Sequence, residues 1–582
     1  MDPTAANIAI FCFPTAICTR NPPTEDEPPL DMPWFESFQN PKNRIDSLAA
    51  HHTPKWRLDG ASTTGTRFFA IPNFAIRNTP IRVDTYVPDI SQQRRYVMSI
   101  LNSNSSMFVE NSQVGDSSIG RHILRALEAW SESWGWAEFE SAFMSMPFGS
   151  RIMIENMHED INRMDIQLAP YYAVEQQMLS ASALQELWNL PQGAWPETLD
   201  LQNLQFVQQL HESIALVQLS SSDRATYVFK SLTDDLKPFY HELKTLLTLT
   251  PHPNVIPRPL YIITKKCHFG GKIGVCGFLL KEYPYGTLQN ALSARRIRND
   301  FRLEDRLQWA AQITSALIHI NSSTKGAVYY TTLKPENILL ATSDTHNALN
   351  TVLIDFEQRY GPPCLNPPEV NYPAYLIDLA TNCTLFSMKQ KYTSLLKSTN
   401  LLPAKTNTST TARYSNPDHG ACEPWDTLTP PQREAAQVFA LGKLLWCIFE
   451  DGSLLNNAIG THTFREDVCD IEFPEFRKIP PGHLRELIKE CTSGAGEWRG
   501  RRQPLVRRGN MICVRGGDGN ESAEDVQVAA RRWWREEIAD AEKFVAARVS
   551  GNQEDEEVWS WASERPRLSE VLRRLQEMLT VL

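Results

Sequence analysis

The sequence predicts a mixed α+β protein with a strand-rich small lobe, a larger helical lobe after it, and a mostly helical extension ahead of both. Three observations predict it. Between Leu201 and Tyr285 the chain is a series of short apolar runs rich in β-branched residues, which suit a pleated, half-buried surface. Beyond Leu288, apolar residues recur at three- and four-residue spacing over long stretches, the period of a helix with one buried face. Before Leu201, two helical stretches follow a Pro-rich acidic segment, "NPPTEDEPPLDMPW", that reads as an extended linker.

Length and charge set the outer bounds. At 582 residues the chain exceeds one ordinary hydrophobic core, and a domain of about 100 to 200 residues implies several units. The divisions fall at 1–200 for the extension, 201–285 for the small lobe and 286–582 for the large lobe. A hydrophobic fraction of 42% and a charged fraction of 22% are those of a globular protein with a sizeable core. The net charge of -10 argues against a nucleic-acid surface spread over the whole molecule. The 11 cysteines form no C-x-x-C pair, so a structural zinc site is not indicated and the thiols read as reduced. The apolar run "IAIFCFPTAIC" lacks a basic residue ahead of it and contains a proline, which makes it a poor signal peptide, and it is too short to span a bilayer. These features predict an intracellular protein, cytoplasmic or nuclear, with no membrane and no nucleic-acid partner.

In the extension, "HILRALEAWSESWGWAEFESAFMSM" and "YYAVEQQMLSASALQELWNL" have helical periodicity with their aromatics on one side. Trp130, Trp134, Leu187 and Trp188 read there as core or interface residues, and no chemical motif accompanies them. The small lobe follows with "SIALVQL", "ATYVFKSL", "RPLYIIT" and "IGVCGFLLKEY" as strands. One helix interrupts them, "KPFYHELKTLLTLTPHPN", on which Phe239, Leu243, Leu246 and Leu247 share a face. The large lobe is built from helices such as "RLEDRLQWAAQITSALIHI" and "PQREAAQVFALGKLLWCIFE". Two polar tracts near 375–430 and 494–556 read as surface insertions, too polar to build core. The basic run "RRQPLVRR" reads as a solvated face.

Chemistry is concentrated in a few short segments. Moving a phosphoryl group requires charge neutralisation more than covalent work: a lysine for phosphate oxygens, and carboxylate or amide oxygens for magnesium. Lys230 in "TYVFK", Asn337 in "TTLKPENILL" and Asp355 in "LIDFEQ" supply those types. Asn337 stands just before a β-run and Asp355 just after the apolar strand "TVLI", so both are placed to project from strand ends towards one cleft.

These segments, in this order, resemble the protein kinase superfamily over residues 201–582, and more narrowly a divergent group of kinase-like proteins of filamentous fungi. "TYVFK" resembles the strand with the phosphate-binding lysine, and Glu242 in "YHELKTLL" the helix glutamate that pairs with it. "TTLKPENILL" is similar to the catalytic loop, "LIDFEQ" to the metal-binding D-F-G turn, "NPPEV" to the A-P-E motif and "ERPRLSEVL" to the closing helix. The resemblance implies a two-lobed fold that binds ATP with Mg2+ and transfers phosphate to serine or threonine of a protein substrate. In it Lys230 holds the α/β-phosphates, Glu242 orients Lys230, Lys334 contacts the γ-phosphate, and Asn337 and Asp355 bind the metal. The adenine would lie against a hinge at Lys281, Glu282, Tyr283 and Pro284, with Leu280 behind it. Glu369 and Arg565 match the buried ion pair of the large lobe, and Leu246, Phe356 and Tyr330 an apolar column.

The departures are as informative as the matches. Tyr330, Thr331 and Thr332 stand where H-R-D is found, so a threonine replaces the carboxylate that deprotonates the acceptor hydroxyl. General-base help is worth about 10² to 10⁴ in rate, and threonine cannot supply it. The glycine-rich phosphate loop is absent from "ALVQLSSSDRATYVFK", although Ser220, Ser221 and Ser222 offer hydroxyl donors. Glu357 occupies the glycine position of D-F-G, where it would either add a metal ligand or restrict the turn. Gln437 replaces the aspartate that opens the central helix of the large lobe. The alternative to a weakened kinase is therefore a pseudokinase, a scaffold recognised by a regulatory protein partner. A small-molecule phosphotransferase fits less well, because "NPPEV" and Arg565 follow the protein-kinase pattern.

Overall fold

The computed structural model describes residues 55–61, 67–74, 82–85, 107–110, 113–116, 119–155, 161–191, 193–220, 225–233, 235–268, 270–324, 328, 330, 332–342, 349–358, 364–383, 385–399, 401, 414, 425, 428–452, 471–508, 511–518, 521–550 and 564–581. Among them the chain is mixed α and β and divides into two units. One takes in the described residues up to 236 together with 259–282; the other takes in 237–258 and those from 283 onward.

Among its described residues the first unit contains a five-stranded sheet, a six-stranded sheet and a two-stranded hairpin. Strands β1 (Trp56–Ala61), β2 (Arg67–Pro72), β3 (Arg82–Thr85), β6 (Arg151–Ile154) and β7 (Ile166–Ala169) form a five-stranded sheet in that order. Between them in the chain lie a hairpin, β4 (Met107–Glu110) with β5 (Gln113–Asp116), and helices α1 (Ile119–Ser133) and α2 (Trp136–Met144). The break between α1 and α2 falls at Gly135, whose φ of 83° is open to glycine and strained for other residues. Helices α3 (Ala173–Gln177) and α4 (Ala181–Trp188) follow β7, and α4 ends on Asn189 in the left-handed region.

The second sheet has the order β8-β12-β13-β11-β10-β9. It comprises β8 (Glu197–Asp200), β9 (Leu204–His211), β10 (Ile214–Leu219), β11 (Thr226–Ser231), β12 (Tyr261–Lys266) and β13 (Ile273–Lys281). Its strands are antiparallel except β8 and β12, so the sheet is mixed. On β10 burial alternates, with Ala215, Val217 and Leu219 inward, whereas β13 is buried from Gly274 to Leu280. Gly277 is required by close contact: a Cβ there would lie 2.1 Å from the Phe229 ring.

The extension differs from the mostly helical expectation, since its described residues hold strands and helices in comparable amounts. Nor does it separate from the strand-rich region at residue 201. β8 pairs with β12 from Tyr261↔Glu197 to Thr264↔Asp200, and the Asp59 carboxylate on β1 accepts the Gln209 N–H on β9 at 2.7 Å. Trp188 is buried, as expected of a core residue, while Trp134 and Leu187 are partly exposed; Trp130 packs edge-on against Trp134 and Phe139.

The second unit is mainly helical. Helices α5 (Leu236–Thr248), α6 (Leu288–Arg298) and α7 (Leu303–Ser323) precede the hairpin β14 (Ile338–Thr342) with β15 (Leu349–Leu353). Then come α8 (Pro368–Asn382), α9 (Phe386–Ser398), α10 (Pro430–Glu450), α11 (His483–Cys491), the hairpin β16 (Leu505–Arg508) with β17 (Met511–Val514), α12 (Ala523–Ser550) and α13 (Leu568–Val581). α10 is buried on every side from Ala436 to Glu450, the property of a central helix. Its start is fixed by a capping box between Thr429 and Gln432 with proline in the first turn.

The polar tracts correct the expectation of core-free insertions. Tyr372, Leu376 and Leu379 of α8, Tyr392 and Leu396 of α9, and Ile538, Ala541, Phe544 and Val545 of α12 form one buried apolar cluster. The tracts therefore contribute helices that pack on each other. "IAIFCFPTAIC", the Pro-rich linker and "SGNQEDEEVW" up to Trp559 lie outside the described residues, apart from Ser550. No helix among the described residues is long and apolar enough to cross a membrane.

Candidate functional site

The site is built at the ends of the short hairpin β14–β15 in the second unit. Asn337 closes a 3-10 turn, Pro335–Asn337, that leads directly into β14, and Asp355 follows β15 by two residues. The antiparallel pairing Ile338↔Leu353 puts these two strand ends side by side. The Asn337 side-chain N–H donates to Asp355 Oδ2 and to the Thr332 carbonyl, both at 3.0 Å. The Asn337 carbonyl accepts the Ile354 N–H at 3.1 Å. The segment from Thr332 to Asn337 is thus tied to the 354–355 turn by its own side chain and backbone.

Helix α5 brings the third group. Its buried Glu242 accepts the Phe356 N–H at 3.1 Å. Glu242, Asp355 and Glu357 each present a carboxylate oxygen, all within 4.8 Å of one another. Asp355 adopts φ of 70° and Gln358 φ of 50°, the left-handed region that Asp tolerates better than most residues. Glu357 itself is not in that region, so a side chain at this position does not strain the turn.

Tyr330 and Gln437 hold the loop from behind. Gln437, buried on α10, accepts the Tyr330 N–H and donates to the Tyr330 carbonyl, both at 3.2 Å. A carboxylate could accept but not donate, whereas the carboxamide does both. The Tyr330 hydroxyl donates to the Ile354 carbonyl and lies 3.4 Å from the Asn337 carbonyl. Burial, together with the Asp355 and Glu242 carboxylates, holds this phenol well above its usual pKa, against the opposing bond to Ile354, so it remains a donor. Its ring packs edge-on against Phe356 with centroids 5.3 Å apart. The sequence places Tyr330 in an apolar column and at the first position of the altered H-R-D triplet. A buried tyrosine also carries a hydroxyl that must find a partner, and that was the signal for its polar role.

Lys334 and Thr332 are half-buried, with the Lys334 N–H donating to the Thr332 carbonyl at 2.9 Å. Tyr283 is half-buried as well, and burial raises its phenol pKa. In the first unit, Lys230 is buried on β11 opposite Phe278 of β13, while Leu280 is buried at the end of β13, Lys281 is exposed and Glu282 half-buried. The chain passes from one unit to the other between Glu282 and Tyr283. Ser220 is exposed and its hydroxyl donates to the Asn203 carbonyl at 3.0 Å. Ser221, Ser222 and Thr331 lie outside the described residues.

A second constellation lies elsewhere in the second unit. Glu369, at the start of α8, is fully buried against Arg565, which reaches it through both terminal nitrogens. Arg565 also donates to the Ser493 carbonyl at 2.9 and 3.0 Å and to the Ala435 carbonyl at 3.1 Å. One guanidinium therefore joins four segments of chain. No protein-family model matches this chain, and no curated protein matches it either.

Proposed function

We propose that the chain is a two-lobed, protein kinase-like protein that binds ATP with Mg2+ and whose phosphotransfer is weak or lost. The observation that carries the reading is a convergence of polar groups from three segments of chain: the Asn337 side chain donates to Asp355 at 3.0 Å, and Glu242 accepts the N–H of Phe356, the residue after Asp355, at 3.1 Å. Asp355 and Glu357 are hard oxygen donors, and the Asn337 amide, whose nitrogen is spent on Asp355 and Thr332, keeps its oxygen for a cation. This donor set fits magnesium. Lys230 would hold the α/β-phosphates and Lys334 the γ-phosphate, with Leu280, Lys281, Glu282 and Tyr283 next to the adenine. Bound Mg2+ would supply charge neutralisation for the phosphates. The Thr332 hydroxyl has too high a pKa to take the proton of an acceptor serine or threonine, so in this reading the general base is missing.

The alternative is a pseudokinase scaffold, whose shape, with or without nucleotide, is read by a regulatory protein. Thermal unfolding with and without Mg·ATP separates the two, with Asp355→Asn and Lys230→Met as controls. At a hundred times its Kd the ligand adds about 2.7 kcal/mol of stability. A magnesium-dependent rise in Tm that both substitutions abolish supports the nucleotide site. No rise at saturating nucleotide refutes it and leaves the scaffold. Given a rise, Thr332→Asp is expected to increase phosphotransfer to a protein substrate by up to about 10² to 10⁴.

A further inference from the structure

The first unit contains a cavity of about 430 Å³ that the nucleotide reading does not use. Small-molecule sites occupy roughly 300 to 1,000 Å³. One wall is apolar, formed by Phe143 of helix α2 and by Met146 and Phe148 just after it; the other is formed by the end of β8, the end of β12 and the turn between β12 and β13.

Glu175, fully buried on α3, holds the two walls in place. Its carboxylate accepts the Phe148 N–H at 2.8 Å from the apolar wall and the His268 N–H at 2.6 Å from the turn. The His268 ring nitrogen Nδ1 lies 3.2 Å and the Lys265 ammonium 3.3 Å from the same carboxylate. Burial disfavours the charge, but these partners outweigh it and hold the Glu175 pKa below the usual range. The Lys272 ammonium adds a second tie, donating to the Gln176 carbonyl at 2.6 Å. The cavity walls are thus fixed before any ligand arrives, which lowers the entropy cost of binding.

Two lining charges are not consumed by this network. The Lys266 ammonium and the Asp200 carboxylate have no ion-pair partner among the described residues. Asp200 accepts only the Gln202 N–H, at 2.9 Å, which leaves its second oxygen available. A site with one unpaired cation, one unpaired anion and an apolar wall is complementary to a guest carrying both charges and an apolar group. We propose that this cavity binds a small zwitterion with an apolar side chain, the simplest being an apolar α-amino acid. Its carboxylate meets Lys266, its ammonium meets Asp200, and its side chain lies against Phe143, Met146 and Phe148.

Phenylalanine, 3-phenylpropanoate and 2-phenylethylamine separate the two charges, and binding of each to the full chain is measured by calorimetry and ligand-observed NMR. Lys266→Ala removes the cation, Asp200→Asn neutralises the anion while keeping the acceptor for Gln202, and Met146→Trp fills the apolar side. Phenylalanine is expected to bind more tightly than either analogue. Lys266→Ala weakens phenylalanine and phenylpropanoate about fivefold and spares the amine, whereas Asp200→Asn weakens phenylalanine and the amine and spares the acid. Met146→Trp blocks all three. The proposal is overturned if none of the three binds at about 10 mM, if all variants bind like the parent, or if only one of the two rim substitutions has an effect.

Discussion

Replacing Glu369 by glutamine tests the buried pair on which the architecture of the second unit depends. Glu369 and Arg565 are both fully buried, so neither charge is screened by solvent. Without the carboxylate, Arg565 keeps its bonds to Ser493 and Ala435 but loses its counter-ion inside the protein. Breaking such a pair from one side costs about 3 to 5 kcal/mol, most of it the desolvation of the charge left behind. Arg565→Met should cost at least as much, because it strands the Glu369 carboxylate and also removes donors from the Ser493 and Ala435 carbonyls. Glu369→Leu combined with Arg565→Met strands neither charge and should cost less than the two single changes added together. Urea unfolding followed by tryptophan emission measures the parent, Glu369→Gln, Glu369→Leu, Arg565→Met and the double variant, with Glu369→Leu and Arg565→Met as the single changes of the cycle. A cost below about 1 kcal/mol for Glu369→Gln, within the range of exposed pairs, would refute the reasoning. So would strict additivity in the double variant.

Two further predictions concern particular side chains. Gln437→Glu keeps an acceptor for the Tyr330 N–H but places a carboxylate against the Tyr330 carbonyl, so it should cost more than about 1 kcal/mol in urea unfolding and weaken any Mg·ATP-induced rise in Tm; an unchanged protein would show the carboxamide to be idle. Glu537 on α12 is pushed up to about 7 by burial and by the neighbouring Asp540 and Glu497 carboxylates, against Arg501 and Arg499. Its folded pKa is raised above the ordinary 4.5, so the folded state binds more protons between those values and stability falls as pH rises from about 4.5 through 7. Glu537→Gln should flatten that part of the stability–pH profile, and an unaltered slope would falsify the assignment.

How much was legible in the sequence depended on the distance over which the information is carried. The strands Ile214–Leu219, Thr226–Ser231, Tyr261–Lys266 and Ile273–Lys281, and the helices Leu303–Ser323 and Pro430–Glu450, follow from apolar spacing within each segment. The extension was harder to read, because strands of four to six residues such as Arg151–Ile154 offer too few repeats to establish a period. The polar tracts were misread for a related reason. Averaged over its length, α12 is hydrophilic, yet Ile538, Ala541 and Val545 recur at three- and four-residue spacing and form one buried stripe.

By itself the sequence determined most local conformations and the residue types available for chemistry: an asparagine before one strand, an aspartate after the next, and a threonine five residues ahead of that asparagine. Those depend on neighbours a few positions away. Only the tertiary structure decided which of these groups meet: Glu242 with the Phe356 N–H, Gln437 with both polar groups of Tyr330, and Glu175 with Phe148 and His268. Each pairing crosses dozens of residues or more, and its worth comes from removing both partners from water together. That desolvation is a property of the packed chain and has no counterpart in any short stretch of it.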